Sequence, residues 1–204
     1  METIGGLAAL HRSGGDERRT RILEGAFKVF LAYGFSRTTM DDIARAADLS
    51  RPALYLVFRN KADIFCAVVS CMLEGVLDTA RRVLAEEGPL VDRLDRLVDM
   101  TFVAIMREIY ASPHGDELID TKNRLATDLF ARWGARMEEI ITEAIEREMA
   151  ANGTDLAERG FAARDAAAAM MDALEGMKSR FDAAGPRRDA TRALVRVLAA
   201  ALRP

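Results

Sequence analysis

Apolar residues recur three and four positions apart along almost the whole chain, and this spacing constrains the fold more than any other feature of the sequence. The first such stripe predicts a helix that begins at Asp16 and ends at Gly34. The stripe contains Ile22, Leu23, Ala26, Phe27, Phe30 and Leu31. Apolar and polar residues hardly ever alternate over four or more positions, as they do in strands. The pattern therefore predicts an all-α protein.

Capping and turn residues divide this pattern into about nine helices. Thr38 or Thr39 predicts the start of the second helix, and Ser50 predicts the start of a third that reaches about Phe58. Asn60 predicts a fourth, long helix that fades by Glu87. The later helices are expected at Pro89–Ile109, Asp116–Lys122, Asn123–Ala151, Leu156–Ala184 and Arg187–Leu202. Helices with such short links form a helical bundle.

Charge is distributed unevenly along the 204 residues, whose net charge is −3. Residues 12–61 contain ten Lys and Arg against six Asp and Glu, whereas residues 62–204 contain 19 against 25. A basic front on an acidic body is typical of a module that binds a polyanion. Chance scatter is the alternative interpretation of the charge alone.

Composition excludes several other classes of protein. Half of the residues are hydrophobic, which is enough for a core and argues against intrinsic disorder. The longest strongly apolar run without a charge, Ile64–Leu73, has ten residues, about half of what a bilayer crossing needs. The first twelve residues lack the charge order of a secretory signal, so we expect a cytoplasmic protein. Cys66 and Cys71 point away from each other on a helix, and we expect no disulfide between them.

Residues 38–58 have the layout of a helix-turn-helix. A short helix, a tight turn and a second short helix that begins at Ser50-Arg51 place the second helix in the DNA major groove. Ile43 and Leu54 are apolar where the two helices pack, and Ala44 is small where they cross.

The segment from Arg19 to Phe65 resembles the DNA-binding domain of the TetR (tetracycline-repressor) family of transcriptional regulators. The motifs that carry the resemblance are Thr38-Thr39-Met40-Asp41-Asp42-Ile43-Ala44, Leu49-Ser50-Arg51-Pro52-Ala53-Leu54-Tyr55 and Phe58-Arg59-Asn60-Lys61-Ala62-Asp63-Ile64-Phe65. Residues 1–15 contain four glycines and no sustained period, which predicts a flexible tail. The resemblance implies a three-helix DNA-binding domain at 16–62 and a helical ligand-binding and dimerisation domain at 63–204. No cofactor, metal or membrane partner is implied.

The resemblance also assigns roles at the DNA interface. Thr38 or Thr39 would bind a backbone phosphate, and Tyr55 would hydrogen-bond another. Ser50, Arg51, Pro52 and Ala53 would enter the major groove, where Arg51 is the long donor able to grip O6 and N7 of guanine. Lys61 would clamp a further phosphate at the N-terminus of helix four. Alternatively, Tyr55 is a core ring with an exposed hydroxyl, and Lys61 is a solvated charge.

The sequence departs from the family pattern at the turn and on the recognition helix. Asp48 stands where glycine is usual, and aspartate tolerates a left-handed backbone at a cost of about 1 kcal/mol. Pro52 also replaces a frequent glycine, and Leu56 and Val57 stand where polar residues commonly follow the tyrosine. Fewer polar groups mean fewer possible DNA contacts, so the operator sequence is not predictable.

The acidic remainder would bind an effector and a second copy of the chain. The resemblance implies a homodimer through the last two helices, and a face of small and apolar residues suits close packing there. That face contains Ala166, Ala169, Met170, Ala173, Leu174 and Met177, with Leu194, Val197 and Leu198 on the last helix. Large, adaptable side chains offer a pocket for a small, largely apolar effector, although each is also a candidate for ordinary core. They are Phe102, Met106, Tyr110, Phe130, Trp133, Met137 and Met170.

We therefore expect a ligand-responsive transcriptional repressor that binds double-stranded DNA at a palindromic operator as a dimer. A DNA-binding regulator without an effector is the first alternative. A helical enzyme is the second, but the sequence contains no Gly-rich phosphate loop, no H-E-x-x-H and no G-x-S-x-G. His114, next to Asp116 and Glu117, is interpreted as an exposed loop residue rather than a polar anchor or metal ligand.

Overall fold

The structure, a computed structural model, describes residues 17–178 and 188–201. Within these ranges it consists of helices and turns without a strand, as the sequence predicts. The helices are α1 (Glu17–Arg37), α2 (Met40–Ala46), α3 (Arg51–Tyr55), α4 (Lys61–Leu84), α5 (Leu90–Val98), α6 (Ala104–Tyr110), α7 (Gly115–Leu125), α8 (Thr127–Asn152), α9 (Ala163–Lys178) and α10 (Arg188–Ala201). A π-helical turn, Asp99–Val103, joins α5 to α6 into one helical stretch. The predicted tail, residues 1–15, lies outside the described residues.

The chain forms two compact units that do not follow the predicted boundary after residue 62. Of the described residues, the first unit contains 17–76 together with Ile105–Ala131, and the second contains Leu77–Ala104, 132–178 and 188–201. Residues 105–131, which we expected in the ligand-binding domain, therefore pack with the DNA-binding helices.

The first unit has a continuous hydrophobic core that fixes the helix-turn-helix. Buried side chains come from α1, α2, α3 and α4, and α7 adds Leu118. They include Ile22, Ala26, Phe27, Phe30, Ile43, Ala44, Leu54, Phe58, Ile64, Phe65 and Val68. The rings of Phe30, Phe35 and Phe65 lie 5.4–5.8 Å apart. Burial of these large side chains holds the short helices, which are too short to be stable alone.

Arginines tie the helices of the second unit together. The buried Arg93 donates from Nη1 to the Leu84 carbonyl at 2.6 Å and from Nη2 to Glu148 at 2.8 Å. On α10, Arg192 lies 3.4 Å from Asp95 and 3.8 Å from Asp99, so this last helix packs along α5. Val195 of α10 is fully buried.

Two predicted helix starts are wrong. Helix α8 begins at Thr127 instead of Asn123, because α7 continues to Leu125 and Ala126 is not helical (φ −127°). Helix α9 begins at Ala163 instead of Leu156, because a short 3-10 turn, Ala157–Arg159, ends at Gly160 with φ 84°. The predicted end of one helix at Ala184, and the predicted start and end of the next at Arg187 and Leu202, lie outside the described ranges.

Candidate nucleic-acid interface

Thr39, and not Thr38, is the N-cap of helix α2. Its Oγ1 accepts from the backbone N–H of Asp42 at 3.2 Å, and Asp42 Oδ2 accepts from the Thr39 backbone N–H at 3.0 Å. The Thr39 hydroxyl also donates to Asp42 at 2.6 Å. These hydrogen bonds lower the pKa of Asp42, since they favour its ionised form. Thr39 is exposed and begins the helix with a complete capping box.

Thr38 is an internal residue, so its predicted role as an alternative phosphate ligand is corrected. Its side chain is 1% exposed, and its hydroxyl donates to the Gly34 carbonyl at 2.6 Å. Gly34 has φ 76° and ψ 167°, which ends the regular part of α1 at the predicted residue, although helical geometry resumes as far as Arg37. Thr38 therefore secures the exit of α1.

The turn between α2 and α3 depends on a left-handed Asp48. Asp48 has φ 54°, a left-handed backbone that aspartate tolerates. This conformation lets the Leu49 N–H reach the Ala44 carbonyl at 2.9 Å and the Asp48 N–H reach the Arg45 carbonyl at 3.2 Å. The two bonds satisfy the carbonyls at the end of α2 and fix the direction in which α3 leaves.

Helix α3 is short and exposes its first turn. Ser50 Oγ accepts from the Ala53 N–H at 3.3 Å, so Ser50 is the predicted N-cap, and Pro52 follows in the first turn. The helix ends at Tyr55, three residues before the predicted end at Phe58, and a turn follows. Leu54 and Phe58 face the core, whereas Ser50, Arg51 and Pro52 are exposed and Ala53 is half-buried.

Arg51 lies between an acid on α2 and a tyrosine on its own helix. Its Nη1 donates to Asp41 Oδ2 at 3.1 Å, and its Nη2 lies 3.5 Å from the Tyr55 hydroxyl. The guanidinium carbon is 5.6 Å from the centre of the Tyr55 ring. The contact with Tyr55 and the charge of Asp41 raise the pKa of Arg51. Tyr55 is 43% exposed, so its ring is not a core ring.

We call the exposed side chains of Thr39, Ser50, Arg51, Pro52 and Tyr55 the reading surface. Leu56 extends this surface with a side chain that is 82% exposed, and Val57 packs against the core. The unusual leucine therefore adds an apolar group next to Tyr55.

Lys61, which the resemblance offers as a phosphate ligand, is bound to the backbone in this structure. Its Nζ donates to the carbonyls of Phe35 at 2.8 Å, Ser36 at 2.9 Å and Thr38 at 2.9 Å. It also lies 4.7 Å from the centre of the Phe35 ring. An ammonium has three N–H donors, and these three bonds occupy all of them. Lys61 therefore fastens the end of α1 to the start of α4.

Comparison with known proteins identifies the domain that carries the reading surface. Residues 22–68 match the family model described as "Bacterial regulatory proteins, tetR family". The transcriptional activator FasR of Mycolicibacterium smegmatis is 32% identical over 87 residues, which are 43% of this chain and 40% of FasR. This domain, residues 22–68, belongs to the TetR family. The chain spans 40–49% of the length of FasR and of two further curated relatives that it matches.

Solved structures show the same fold beyond the DNA-binding domain. A TetR/AcrR-family regulator from Thermobifida fusca matches 90% of this chain and 97% of its own with a TM-score of 0.65 and 21% identity. SmeT, the repressor of the multidrug efflux pump SmeDEF of Stenotrophomonas maltophilia, matches 90% of this chain and 89% of its own with a TM-score of 0.62 and 19% identity. These matches confirm the predicted fold class. Proteins of the TetR family are transcriptional regulators, as predicted, and not enzymes.

The loop before α7 and the first turn of α7 hold α1 through two hydrogen bonds that the sequence did not reveal. Glu117 Oε1 accepts from the Ser36 N–H at 2.6 Å, and Ser112 donates to the Leu31 carbonyl at 2.6 Å. The bond from Ser36 lowers the pKa of Glu117. His114, which we expected to be an exposed loop residue, is half-buried and lies 3.8 Å from Glu117.

The predicted ligand-binding residues fall in both units. Met106, Tyr110 and Phe130 are half-buried in the first unit, where Lys122 lies 4.3 Å from the centre of the Phe130 ring. In the second unit Phe102 and Trp133 are half-buried, and Met137 and Met170 are 4% and 1% exposed.

Cys66 and Cys71 are not joined by a disulfide. Within residues 17–178 and 188–201, no group of three His, Cys, Asp and Glu side chains is arranged to hold a metal ion. A search of the same residues finds no helix with the length and apolarity that a membrane span requires.

Proposed function

We propose that this chain is a ligand-responsive transcriptional repressor that binds a palindromic operator as a dimer. The observation that carries the proposal is the reading surface, in which Arg51 projects from a helix whose other face is fixed in the core by Leu54 and Phe58. A cation at the start of an exposed helix suits the guanine edge in the major groove. SmeT is a repressor, whereas FasR is an activator, so the sign of regulation needs its own measurement.

Replacing Arg51 with alanine is expected to weaken operator binding by about 5- to 150-fold for each chain in contact, which is the value of one bidentate base contact. The measurement is fluorescence anisotropy with duplexes from the promoter region beside the gene, at two salt concentrations. Arg132→Ala, which removes an exposed arginine from α8, is the matched control and is expected to bind like the parent. Absence of salt-sensitive binding by the parent protein would refute the proposed function.

The dimer is expected to form through the faces of α9 and α10 that the chain itself leaves uncovered. Ala166, Met170 and Leu174 are buried in the second unit, so the predicted face is narrower than the sequence suggested. Ala169 is exposed and Val197 is 68% exposed. A two-fold symmetric dimer presents its two α3 helices to the two half-sites of the operator. The operator complex is therefore expected to contain two chains per duplex.

We also propose that a small apolar effector releases the operator. SmeT has been solved in complex with triclosan, although its 18% identity to this chain in that structure shows the fold alone. Trp133 is the only tryptophan of the chain and one of the predicted pocket residues. Titration with triclosan is therefore expected to change the emission of Trp133 and to weaken operator binding over the same concentration range. If neither changes with triclosan or a panel of other apolar compounds, the regulator works without an apolar effector.

A further inference from the structure

A single ion pair connects the two helices of the helix-turn-helix on their exposed side. Asp41 lies in the first turn of α2, and Arg51 is the first residue of α3. Their side chains are 51% and 57% exposed, and Oδ2 and Nη1 are 3.1 Å apart. The pair lies at the exposed edge of the reading surface, outside the hydrophobic core.

The contacts of Arg51 leave part of its guanidinium free. A guanidinium carries five N–H donors and no acceptor. Asp41 takes one donor from Nη1, and the Tyr55 hydroxyl lies opposite one from Nη2, while the Tyr55 ring faces the guanidinium carbon. Two contacts on different atoms restrict the rotation of the plane. Three of the five N–H groups of Arg51 therefore remain for another acceptor. The two existing contacts already restrict the orientation of the side chain.

Guanine and phosphate make different demands on this arrangement. The major-groove edge of guanine offers two uncharged acceptors, O6 and N7, which can bind free donors while Asp41 stays in place. A phosphate is attracted mainly by net charge, and the net charge of the Asp41–Arg51 pair is zero. An acid beside a phosphate adds repulsion. The same arginine is thus better suited to a base than to the backbone.

We propose that Asp41 is a specificity-determining residue of the DNA interface, which withholds the charge of Arg51 from phosphates and leaves its free donors for a guanine edge. This inference rests on the proposed function. In the absence of Asp41, Arg51 acts as one more phosphate-binding cation on any DNA sequence. Selectivity then falls because non-specific binding strengthens, whereas the operator contact is largely kept.

The test is Asp41→Asn, measured by anisotropy on the promoter duplex and on a scrambled duplex of equal length over a salt series. We expect scrambled DNA to bind about ten-fold more tightly and its log–log salt slope to steepen by about 0.9 for each chain in contact. Operator affinity is expected to change less than about three-fold. The ratio of operator affinity to scrambled-DNA affinity, which measures discrimination, therefore falls.

Asp48→Asn is the matched control, because it removes the same charge from the neighbouring turn and asparagine also tolerates the left-handed backbone. We expect it to shift both duplexes equally and leave discrimination unchanged. A merely structural role of Asp41 in the first turn of α2 would alter thermal stability without altering the ratio of the two affinities.

A double-variant cycle shows whether Asp41 acts through Arg51. In an Arg51→Gln background, Asp41→Asn is expected to have no more effect on the salt slope than Asp48→Asn. An Asp41→Asn slope equal to that of Asp48→Asn in the parent, or an effect that persists without Arg51, would overturn the proposal. A parent protein that binds neither duplex at low salt would instead refute the proposed function, and with it the inference.

Discussion

Replacing Lys61 with methionine is expected to lower the free energy of unfolding by about 2 to 4 kcal/mol, because the ammonium is the common donor to three backbone carbonyls. Those carbonyls belong to Phe35, Ser36 and Thr38, at the end of α1 and in the link to α2. Methionine keeps most of the aliphatic stem but offers no donor. The partly buried bonds to the Phe35 and Thr38 carbonyls are then lost, and water replaces them only in part.

Chemical denaturation followed by circular dichroism measures this effect. Lys28→Met is the matched control, since Lys28 is exposed on α1 and the same replacement there is expected to change stability by less than about 0.5 kcal/mol. If Lys61→Met is as stable as the parent and instead makes the salt slope of DNA binding shallower by about 0.9, Lys61 binds a phosphate after all.

The features that the sequence predicted well are local ones. Ser50 and Asn60 were identified as N-caps, and the structure shows each accepting a backbone N–H three residues later. The tolerance of Asp48 for the left-handed backbone that it adopts follows from the same kind of information. Capping and turn geometry depend on a few consecutive residues, so the sequence contains nearly all of the physics that decides them.

The features that the sequence did not predict depend on residues far apart in the chain. Lys61 reaches carbonyls 23 to 26 residues away, and Glu117 binds a backbone N–H 81 residues away. The pairing of Asp41 with Arg51 likewise requires the crossing of α2 and α3. Helical periodicity shows which face of a helix is buried and not which helix covers it.

Gly25 is a residue of this second kind, and Gly25→Val is expected to lower the free energy of unfolding by about 3 kcal/mol. Helix propensity alone predicts a gain of a few tenths of a kcal/mol, because valine is a better helix former than glycine. A Cβ at residue 25, however, would lie 2.9 Å from the carbonyl carbon of Ala46 and 3.0 Å from the nitrogen of Ala47. These are backbone atoms at the end of α2, so no side-chain rotation relieves the overlap, and the steric cost outweighs the propensity.

Gly134→Val separates the two effects, since a Cβ at Gly134 on α8 meets no atom within 4 Å. We expect its stability to change by less than about 0.5 kcal/mol, measured by the same denaturation. Ala46 and Ala47 lead directly into the turn before Ser50, so any backbone shift that accommodates the new side chain in Gly25→Val also displaces Arg51. Operator binding is therefore expected to weaken in Gly25→Val even where the protein remains folded. A Gly25→Val protein as stable as Gly134→Val would mean that α1 and α2 do not cross at this distance.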